Sequence, residues 1–318
     1  MTKWLLLSAL GLSSAAFAMT PQQQFVQEWT AKGLERSYIE RALEQASKNQ
    51  KVLDAISTPW EAKPWYQYRQ LFLTQERVED GIAFWQAHRE TLEQAEAQFG
   101  VDASMIVAII GIETRYGRHT GTYPVLDALY TLGFYYPKRA KFFASELGHY
   151  LTLAQQEGWT LGDTKGSYAG AMGWGQFIPS SYLAYSVDFD GDGKRDLLNN
   201  PVDAIGSVAN YFAEHKWSHK APAAATIDAP MNEPAKALMW NGKPLTATAG
   251  QLRAAGTQAQ GNDSDRAALL ELESSDTSTQ YYQVFPNFYT ITRYNRSPLY
   301  AMAAVEFAKR LQDAYDQP

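Results

Sequence analysis

The sequence contains no cysteine, so none of its 318 residues can form a disulfide bond or carry a lipid on an N-terminal cysteine. Positive charge is in deficit as well: 28 lysines and arginines face 34 aspartates and glutamates, a formal net charge of −6. A general nucleic-acid binder needs a cationic surface, so this balance argues against that class. With 45% apolar residues, the composition is that of a globular chain and excludes wholesale disorder.

Long apolar runs are missing after residue 18. Residues 1–18 place Lys3 before an apolar run and end in Ala16-Phe17-Ala18, a small-x-small cleavage pattern. This arrangement predicts a secretory signal peptide, since the run is too short for a stable membrane anchor. A buried N-terminal helix is the alternative. We therefore expect an exported, soluble protein without an anchor, in the periplasm where the cell has an outer membrane and outside the cell otherwise.

Helical spacing of apolar residues dominates the rest of the chain. It recurs over these stretches: about 21–98, 101–115, 126–158 with a break near Pro137, 201–217 and 299–315. These stretches predict a mainly α fold, with an α-helical body of about residues 19–218 and 293–318.

The composition changes between residues 220 and 280, where Ala, Thr, Asn, Asp and Gly are frequent. Residues 240–243 give the turn signal of a hairpin, and short strands are expected at 281–285 and 288–293. The sequence therefore predicts a small, partly β subdomain inserted at about 219–292.

Glu113 lies near the end of the helix predicted over residues 101–115. It shares a helix face with three apolar residues that precede it by seven, four and three positions: Ile106, Ile109 and Ile110. The carboxylate therefore points from an apolar stripe into the interior or into a cleft. Loss of water would raise its pKa there and suit it to general acid catalysis. The alternative is an ion pair with Arg115 or Arg118.

A glycine-rich loop lies at residues 166–182, with four glycines among small, polar and aromatic residues. Glycine lets a backbone approach a ligand closely. No Gly-Lys-Ser/Thr sequence closes the run, so the loop lacks the pattern of a nucleotide-binding P-loop. It predicts a wall beside a different kind of ligand, with a purely structural turn as the alternative.

An acidic loop begins at Asp188 and has the spacing of a calcium-binding loop. Oxygen ligands fall at its positions 1, 3, 5, 7 and 9, with Gly193 at the sharp turn of position 6. The predicted ligands are Asp188, Asp190, Asp192, Asp196 and the carbonyl of Lys194. Asn199 replaces the usual glutamate at position 12, which weakens calcium and leaves sodium or another hard cation as an option. The expected role is to brace the cleft, and a metal-free acidic turn is the alternative.

Together these segments resemble the lytic murein transglycosylase B family, lysozyme-like periplasmic enzymes that cleave peptidoglycan. The resemblance covers nearly all of the chain after residue 18 and is carried by residues 109–117, both loops and residues 293–297. It implies that Glu113 is the sole catalytic carboxylate. It implies a glycan cleft lined by Ser167, Gln176, Tyr211, Tyr294, Asn295 and Tyr300. It further implies substrate contacts from the other side by Tyr68, Lys138 and Arg139, although Lys138 stands where relatives often carry arginine.

The resemblance also implies the reaction. Glu113 would protonate the β-1,4 glycosidic oxygen between N-acetylmuramic acid and N-acetylglucosamine and then act as a base, so that the muramic 6-hydroxyl closes a 1,6-anhydro ring. No cofactor is expected for this chemistry. The expected partners are peptidoglycan glycan strands and, as a second class, other cell-wall enzymes. A water-using muramidase and a non-catalytic glycan-binding envelope protein are the alternatives.

Overall fold

The computed structural model describes residues 19–57, 63–230 and 232–317, so the predicted signal peptide lies outside the described residues. The helices of the described part are α1 (Pro21–Ala31), α2 (Arg36–Gln45), α3 (Gln50–Ser57), α4 (Trp65–Tyr68), α5 (Gln75–Ala87), α6 (Arg89–Phe99), α7 (Ala103–Thr114), α8 (Val125–Tyr135), α9 (Ala140–Glu157), α10 (Pro179–Tyr185), α11 (Pro201–Glu214), α12 (Glu233–Lys236), α13 (Ala249–Ala254), α14 (Pro286–Tyr294) and α15 (Pro298–Tyr315). The strands are β1 (Tyr123–Pro124), β2 (Lys165–Gly166), β3 (Ala224–Thr226), β4 (Ala268–Glu273) and β5 (Thr279–Val284). The prediction of a mainly α fold with a small β component is confirmed.

The centre of the body is α7, which packs against α5, α6, α11 and α15. Ten of its twelve residues are buried, so the helix is apolar on all sides, as expected of a helix enclosed by others. Gly111 permits part of this packing. A Cβ at this position would lie 2.5 Å from Tyr116 Oη and 2.9 Å from the Phe307 ring of α15. The helix that carries Glu113 is therefore fixed on every side.

The end of α7 has an unusual backbone. Arg115 and Tyr116 both adopt left-handed φ angles, of 50° and 58°, which non-glycine residues seldom do. The Arg115 amide donates to the Gly111 carbonyl at 3.1 Å and thus closes the helix. The Tyr116 ring then turns back against Gly81 of α5 and Gly111 of α7. The chain consequently reverses immediately after Glu113 and Thr114.

Two antiparallel sheets flank the helices. β1 pairs with β2, in the register Tyr123 to Gly166, at the start of the glycine-rich loop. β5 lies between β3 and β4 in the second sheet. A separate small core forms beside that sheet from Ile227, Ala235, Leu252, Ala255, Ala259, Ala267 and Leu269. The division of the chain at about residues 219 and 292 stays a prediction.

Two local predictions are wrong. Residues 288–293 form no strand, because they belong to α14, where Pro286 occupies the first turn and Phe288 and Ile291 are buried three residues apart. This spacing is helical, whereas a strand would bury alternate residues. Residues 240–243 form a turn in which Asn241 Oδ1 accepts a hydrogen bond from the Lys243 amide at 3.1 Å. No strand pair flanks this turn in the described chain, so it is not a hairpin.

Within the described ranges, no single helix has both the length and the apolar character needed to cross a membrane. The bent pair α6 and α7, at 115° to each other, meets that requirement when taken together.

Candidate active site

Glu113 and Tyr300 meet where the last turn of α7 faces the first turn of α15. The Tyr300 hydroxyl donates a hydrogen bond to Glu113 Oε1 at 2.6 Å, and Tyr300 is only 3% exposed. Burial raises the pKa of Glu113 to about 7, against the opposing effect of the Tyr300 hydrogen bond. A carboxyl group with such a pKa can both give and accept a proton near neutral pH.

The arginines that come after Glu113 bind elsewhere. Arg115 Nε lies 2.8 Å from Asp80 Oδ2, and the Arg115 guanidinium also pairs with Glu76. Arg118 Nη1 lies 2.9 Å from the same Asp80 oxygen. These ion pairs attach the end of α7 to α5. Among the described residues Glu113 therefore has no arginine partner, and the alternative of a paired structural glutamate is wrong.

The glycine-rich loop lies directly beside Glu113. The neighbouring Thr114 donates from Oγ1 to the Trp174 carbonyl at 2.8 Å and accepts from the Gly117 amide at 3.0 Å. Gly117 adopts a φ of 80°, and a Cβ there would lie 2.6 Å from the Trp174 ring. The loop and the end of α7 are thus one packed unit. The glycine there serves packing within the protein.

Two predicted cleft tyrosines, Tyr294 and Tyr211, pack beside the glycine-rich loop. Tyr294 donates from its hydroxyl to the Gly175 carbonyl, and Tyr211 donates to the Arg293 carbonyl at 2.6 Å. Their ring centres lie 4.8 Å apart in an edge-to-face arrangement. Burial raises the pKa of Tyr211, and of Tyr294 and Tyr300, whose pKa the Glu113 charge raises further. These phenols therefore stay neutral hydrogen-bond donors.

Three predicted cleft residues make hydrogen bonds within the protein. Gln176, at a left-handed φ of 51°, donates to the Thr120 carbonyl at 3.1 Å. Ser167 Oγ accepts from the Ala171 amide at 3.1 Å, and Asn295 accepts from the Ser297 amide at 3.0 Å. These bonds hold the glycine-rich loop and the junction of α14 with α15. Their contacts with substrate stay predictions.

The family resemblance implies that Tyr68, Lys138 and Arg139 contact the substrate from the opposite side of the cleft. Tyr68 is 9% exposed, and it lies close enough to Tyr300 to contribute to the raised pKa of that hydroxyl. Lys138 and Arg139 are exposed in a short 3-10 turn, where the Arg139 guanidinium carbon lies 4.2 Å from the centre of the Phe142 ring. Tyr68 therefore joins the surroundings of Glu113. The roles of Lys138 and Arg139 stay predictions.

Helix α11 brings an additional carboxylate, that of Asp203, to Asp188 and Asp190 of the acidic loop. Carboxylate oxygens of these two residues and of Asp203 all lie within 4.8 Å of one another. Asp203 is fully buried in the first turn of α11, where it accepts from the Phe189 amide at 2.8 Å and the Asp196 amide at 2.7 Å. Burial raises its pKa, and the charges of Asp190 and Asp188 raise it further. A cation would relieve this repulsion.

Sequence spacing missed Asp203 because it lies fifteen residues after Asp188, beyond a twelve-residue loop. The other predicted ligands have local roles. Asp192 Oδ1 accepts from the Lys194 amide at 2.8 Å, and Asp196 Oδ1 accepts from the Leu198 amide at 3.0 Å. Asp192, Lys194 and Asp196 as metal ligands stay predictions.

Comparison with known proteins agrees with this arrangement. Residues 18–309 match the family described as the transglycosylase SLT domain, and the chain belongs to that family. It is an enzyme of the lytic transglycosylase class that acts on peptidoglycan. A curated relative is the membrane-bound lytic murein transglycosylase B of Escherichia coli strain K12. It is 43% identical over 302 residues, which cover 90% of this chain and 81% of the relative.

Solved structures share the fold, so the predicted lysozyme-like architecture is confirmed. The soluble lytic transglycosylase SltB1 of Pseudomonas aeruginosa superposes with a TM-score of 0.86 at 42% identity, covering 92% of this chain and 99% of its own. E. coli Slt35, solved in complex with calcium, superposes with a TM-score of 0.83 at 41% identity, and the match covers 93% of this chain and 94% of Slt35. P. aeruginosa SltB3 in complex with NAG-anhNAM-pentapeptide superposes with a TM-score of 0.79 at 30% identity, and the match covers 94% of this chain and 80% of SltB3.

Proposed function

We propose that this enzyme cleaves the β-1,4 bond between N-acetylmuramic acid and N-acetylglucosamine without water, and that Glu113 acts first as a general acid and then as a base. The observation that carries this proposal is the Glu113 carboxyl group held by the Tyr300 hydroxyl at 2.6 Å, in surroundings where burial raises its pKa to about 7. Within the described chain, no second carboxylate contributes to that pKa. Ordinary glycosidases place two carboxylates about 5–9.5 Å apart, so a single one favours a different second step.

In the proposed reaction, Glu113 donates one proton and regains one by the end of the cycle. The protonated carboxyl donates to the glycosidic oxygen as the bond from C1 to that oxygen breaks, and N-acetylglucosamine leaves with a free 4-hydroxyl. The resulting carboxylate then removes the proton of the muramic 6-hydroxyl while O6 bonds to C1. Each turnover returns the proton to Glu113 and yields a 1,6-anhydro end. This cycle requires one group able to work in both directions, which a pKa near 7 supports.

The relatives support the product and the substrate. The E. coli relative is a lytic murein transglycosylase by name. SltB3 has been solved with NAG-NAM-pentapeptide and with NAG-anhNAM-pentapeptide. We extend these ligands to the present chain as glycan strands that lie along Glu113, the glycine-rich loop and the tyrosines. The proposed contact residues are Tyr68, Lys138, Arg139, Ser167, Gln176, Tyr211, Tyr294, Asn295 and Tyr300.

Mass spectrometry of digested peptidoglycan tests the reaction directly. We expect muropeptides with anhydro ends, lighter by one water than hydrolysed ends and without label when digestion is done in heavy-oxygen water. Labelled reducing ends would identify a hydrolytic muramidase instead. Glu113→Gln should lower the rate by about a hundredfold or more. Glu79→Gln changes an exposed glutamate of α5, which bonds to Gln75, and should leave the rate unchanged.

A calcium ion bound by Asp188, Asp190 and Asp203 is part of the proposal. Carboxylate oxygens are the ligands that hard cations prefer, and the three residues converge in the manner of such a site. E. coli Slt35 has been solved in complex with calcium, which supports calcium as the ion. The ion would brace α11, which carries Tyr211, and would take no part in the chemistry.

Export to the periplasm is also proposed, through cleavage after residue 18. N-terminal sequencing of the protein recovered from the periplasm of an expressing cell is the test. A chain that starts at Met19 supports export, and an uncleaved chain contradicts it.

A further inference from the structure

A second group of metal-ligating side chains lies at the opposite end of α7 from Glu113. Glu96 belongs to α6, Asp102 precedes the first residue of α7, and His219 lies after α11. His219 Nε2 lies 2.8 Å from Glu96 Oε1 and 4.0 Å from Asp102 Oδ1. The three ligand atoms all lie within 4.8 Å of one another. Three separate parts of the chain therefore bring one nitrogen and two oxygens to one point.

Each carboxylate is held in this orientation by a further hydrogen bond. Glu96 Oε2 accepts from the Ala103 amide at 3.0 Å. Asp102 Oδ2 accepts from the indole Nε1 of Trp217 at 2.8 Å. Supporting hydrogen bonds of this kind orient metal ligands and are typical of metal sites in proteins. Glu96 Oε1 and Asp102 Oδ1 are the oxygens left turned towards His219.

The conformation of Asp102 is informative because it departs from the usual behaviour of its position. An aspartate at a helix N-cap normally accepts a hydrogen bond from an amide of the first turn. Asp102 makes no such bond, and Glu96 instead accepts from the first amide of α7. The Asp102 carboxylate is thus directed away from its own helix and towards His219.

The donor set determines which ion fits. The geometry points to a zinc-type transition-metal site formed by Glu96, Asp102 and His219, with the remaining coordination position taken by water. Imidazole nitrogen with carboxylate oxygen suits zinc, whereas calcium prefers oxygen ligands alone. A tetrahedral zinc ion with bonds of about 2.0–2.1 Å separates its ligands by about 3.3 Å. The two distances of 2.8 and 4.0 Å bracket that value.

Access and charge agree with an ion drawn from solution. The side chains of His219, Glu96 and Asp102 are 40%, 30% and 24% exposed. With a neutral imidazole, the cluster holds two negative charges and no positive one. The Lys220 amide donates a further hydrogen bond to Asp102 Oδ1 at 3.3 Å. A divalent cation would neutralise the pair and would link the corner between α6 and α7 to the segment that leads from α11 into β3.

Zinc titration of the chelator-treated full chain tests the site, by calorimetry and by melting temperature. We expect one zinc ion per chain and a rise in melting temperature. Cobalt at the same site should give the visible absorption of a tetrahedral ion with nitrogen ligation. Loss of a residue that merely supports a ligand weakens metal binding about 10–100-fold, so His219→Gln and Glu96→Gln should each weaken zinc by more than that.

Two control variants separate this site from the rest of the molecule. His119→Gln removes an exposed histidine outside the cluster, and Asp190→Asn disables the acidic loop. Both should bind zinc as the unchanged protein does. No binding at millimolar zinc would overturn the proposal and leave His219 as a structural hydrogen-bonding partner beside the two carboxylates. Equal binding by His219→Gln would overturn it as well, and loss of binding in Asp190→Asn would assign the zinc to the acidic loop.

Discussion

The Tyr300 hydroxyl donates a hydrogen bond of 2.6 Å to Glu113 Oε1, from a residue 187 positions further along the chain. Burial favours the protonated form of Glu113, and this bond favours the carboxylate. The pKa of about 7 is the balance of the two effects. Since burial also raises the pKa of Tyr300, that hydroxyl keeps its proton and stays a donor throughout the neutral range.

Tyr300→Phe should raise the pKa of Glu113 further, because only the lowering effect is removed. The proposed first step needs the acid form of Glu113, so we expect activity to fall as pH rises past this pKa. In the variant, that fall should therefore move to higher pH, and the maximal rate should drop about tenfold or more through loss of a hydrogen bond to a charged group. The rate of muropeptide release across pH is the measurement. Tyr38→Phe is the matched control, since its hydroxyl donates to the Leu151 carbonyl at 3.1 Å, and it should leave both the rate and the pH of the fall unchanged. An unshifted fall in Tyr300→Phe would contradict the assigned balance.

Glu113→Gln should make the protein more stable at alkaline pH. Since the pKa is raised in the folded state, the native protein holds a proton that the unfolded chain releases as pH rises from the ordinary glutamate value towards 7. The free energy of unfolding therefore falls across that window and stays lower above it. Glutamine is free of this penalty, so the variant should gain up to about 3 kcal/mol at about pH 8 and nothing at about pH 4. Urea unfolding at both values checks this, and a variant no more stable at about pH 8 would refute it.

Asp80→Asn should loosen the attachment of α7 to α5. Burial alone would raise the pKa of Asp80, but hydrogen bonds from Arg115 and Arg118 hold it below the ordinary value. A depressed pKa means that the stabilisation is present near neutral pH and is lost as pH falls through the folded-state pKa. We expect a loss of up to about 1 kcal/mol at about pH 7 that disappears in acid, measured by urea unfolding. Asp313→Asn, an exposed residue of α15 paired with Lys309, is the control.

Calcium should raise the melting temperature of protein freed of metal by a chelator, because a ligand that binds only the folded state stabilises it. At a calcium concentration 100 times the dissociation constant, the free energy of unfolding should rise by about 3 kcal/mol. The increment due to calcium should vanish in Asp190→Asn and in Asp203→Asn. Loss of the increment in Asp196→Asn would support the predicted ligand at loop position 9, and a retained increment would contradict it. The increment, rather than the starting melting temperature, is compared, because Asp203 also accepts two backbone amides. A full increment in Asp203→Asn would show that this carboxylate is not a ligand.

The sequence predicted the long helices well because their apolar periodicity extends over many residues. It was less reliable where a pattern is short. Residues 288–293 are compatible with alternation over six positions, and only Pro286 and the three-residue spacing of Phe288 and Ile291 indicate the helix. Glu113 was identified from an apolar stripe, although α7 is in fact buried on nearly all sides. Glu113 still stands out as the candidate, because a charged group is rare in any such helix.

Residues that meet only through tertiary packing could not be predicted from spacing. Asp203 joins Asp188 and Asp190 because α11 folds back on the acidic loop. His219 meets Glu96 across 123 positions, and no local motif contains both. Tyr300 was named through the family resemblance, but its hydrogen bond to Glu113 depends on how α15 packs on α7.

The number of residues in α7 determines the direction in which Glu113 projects, because hydrogen bonds to neighbouring elements hold the end of this helix in place. Each residue added to an α-helix rotates the remainder of the helix by about 100° and advances it by about 1.5 Å. Arg77 binds the Gly111 carbonyl at 3.1 Å, and Thr114 binds the Trp174 carbonyl at 2.8 Å, so two neighbouring elements fix the angle about the helix axis at which Glu113 projects. A single-residue insertion or deletion before Glu113 would rotate its side chain about the helix axis by about 100°. The hydrogen bonds to Arg77 and to Trp174 could then not form in their present positions. A change in the length of α7 would therefore misplace Glu113 even if every neighbouring side chain were kept.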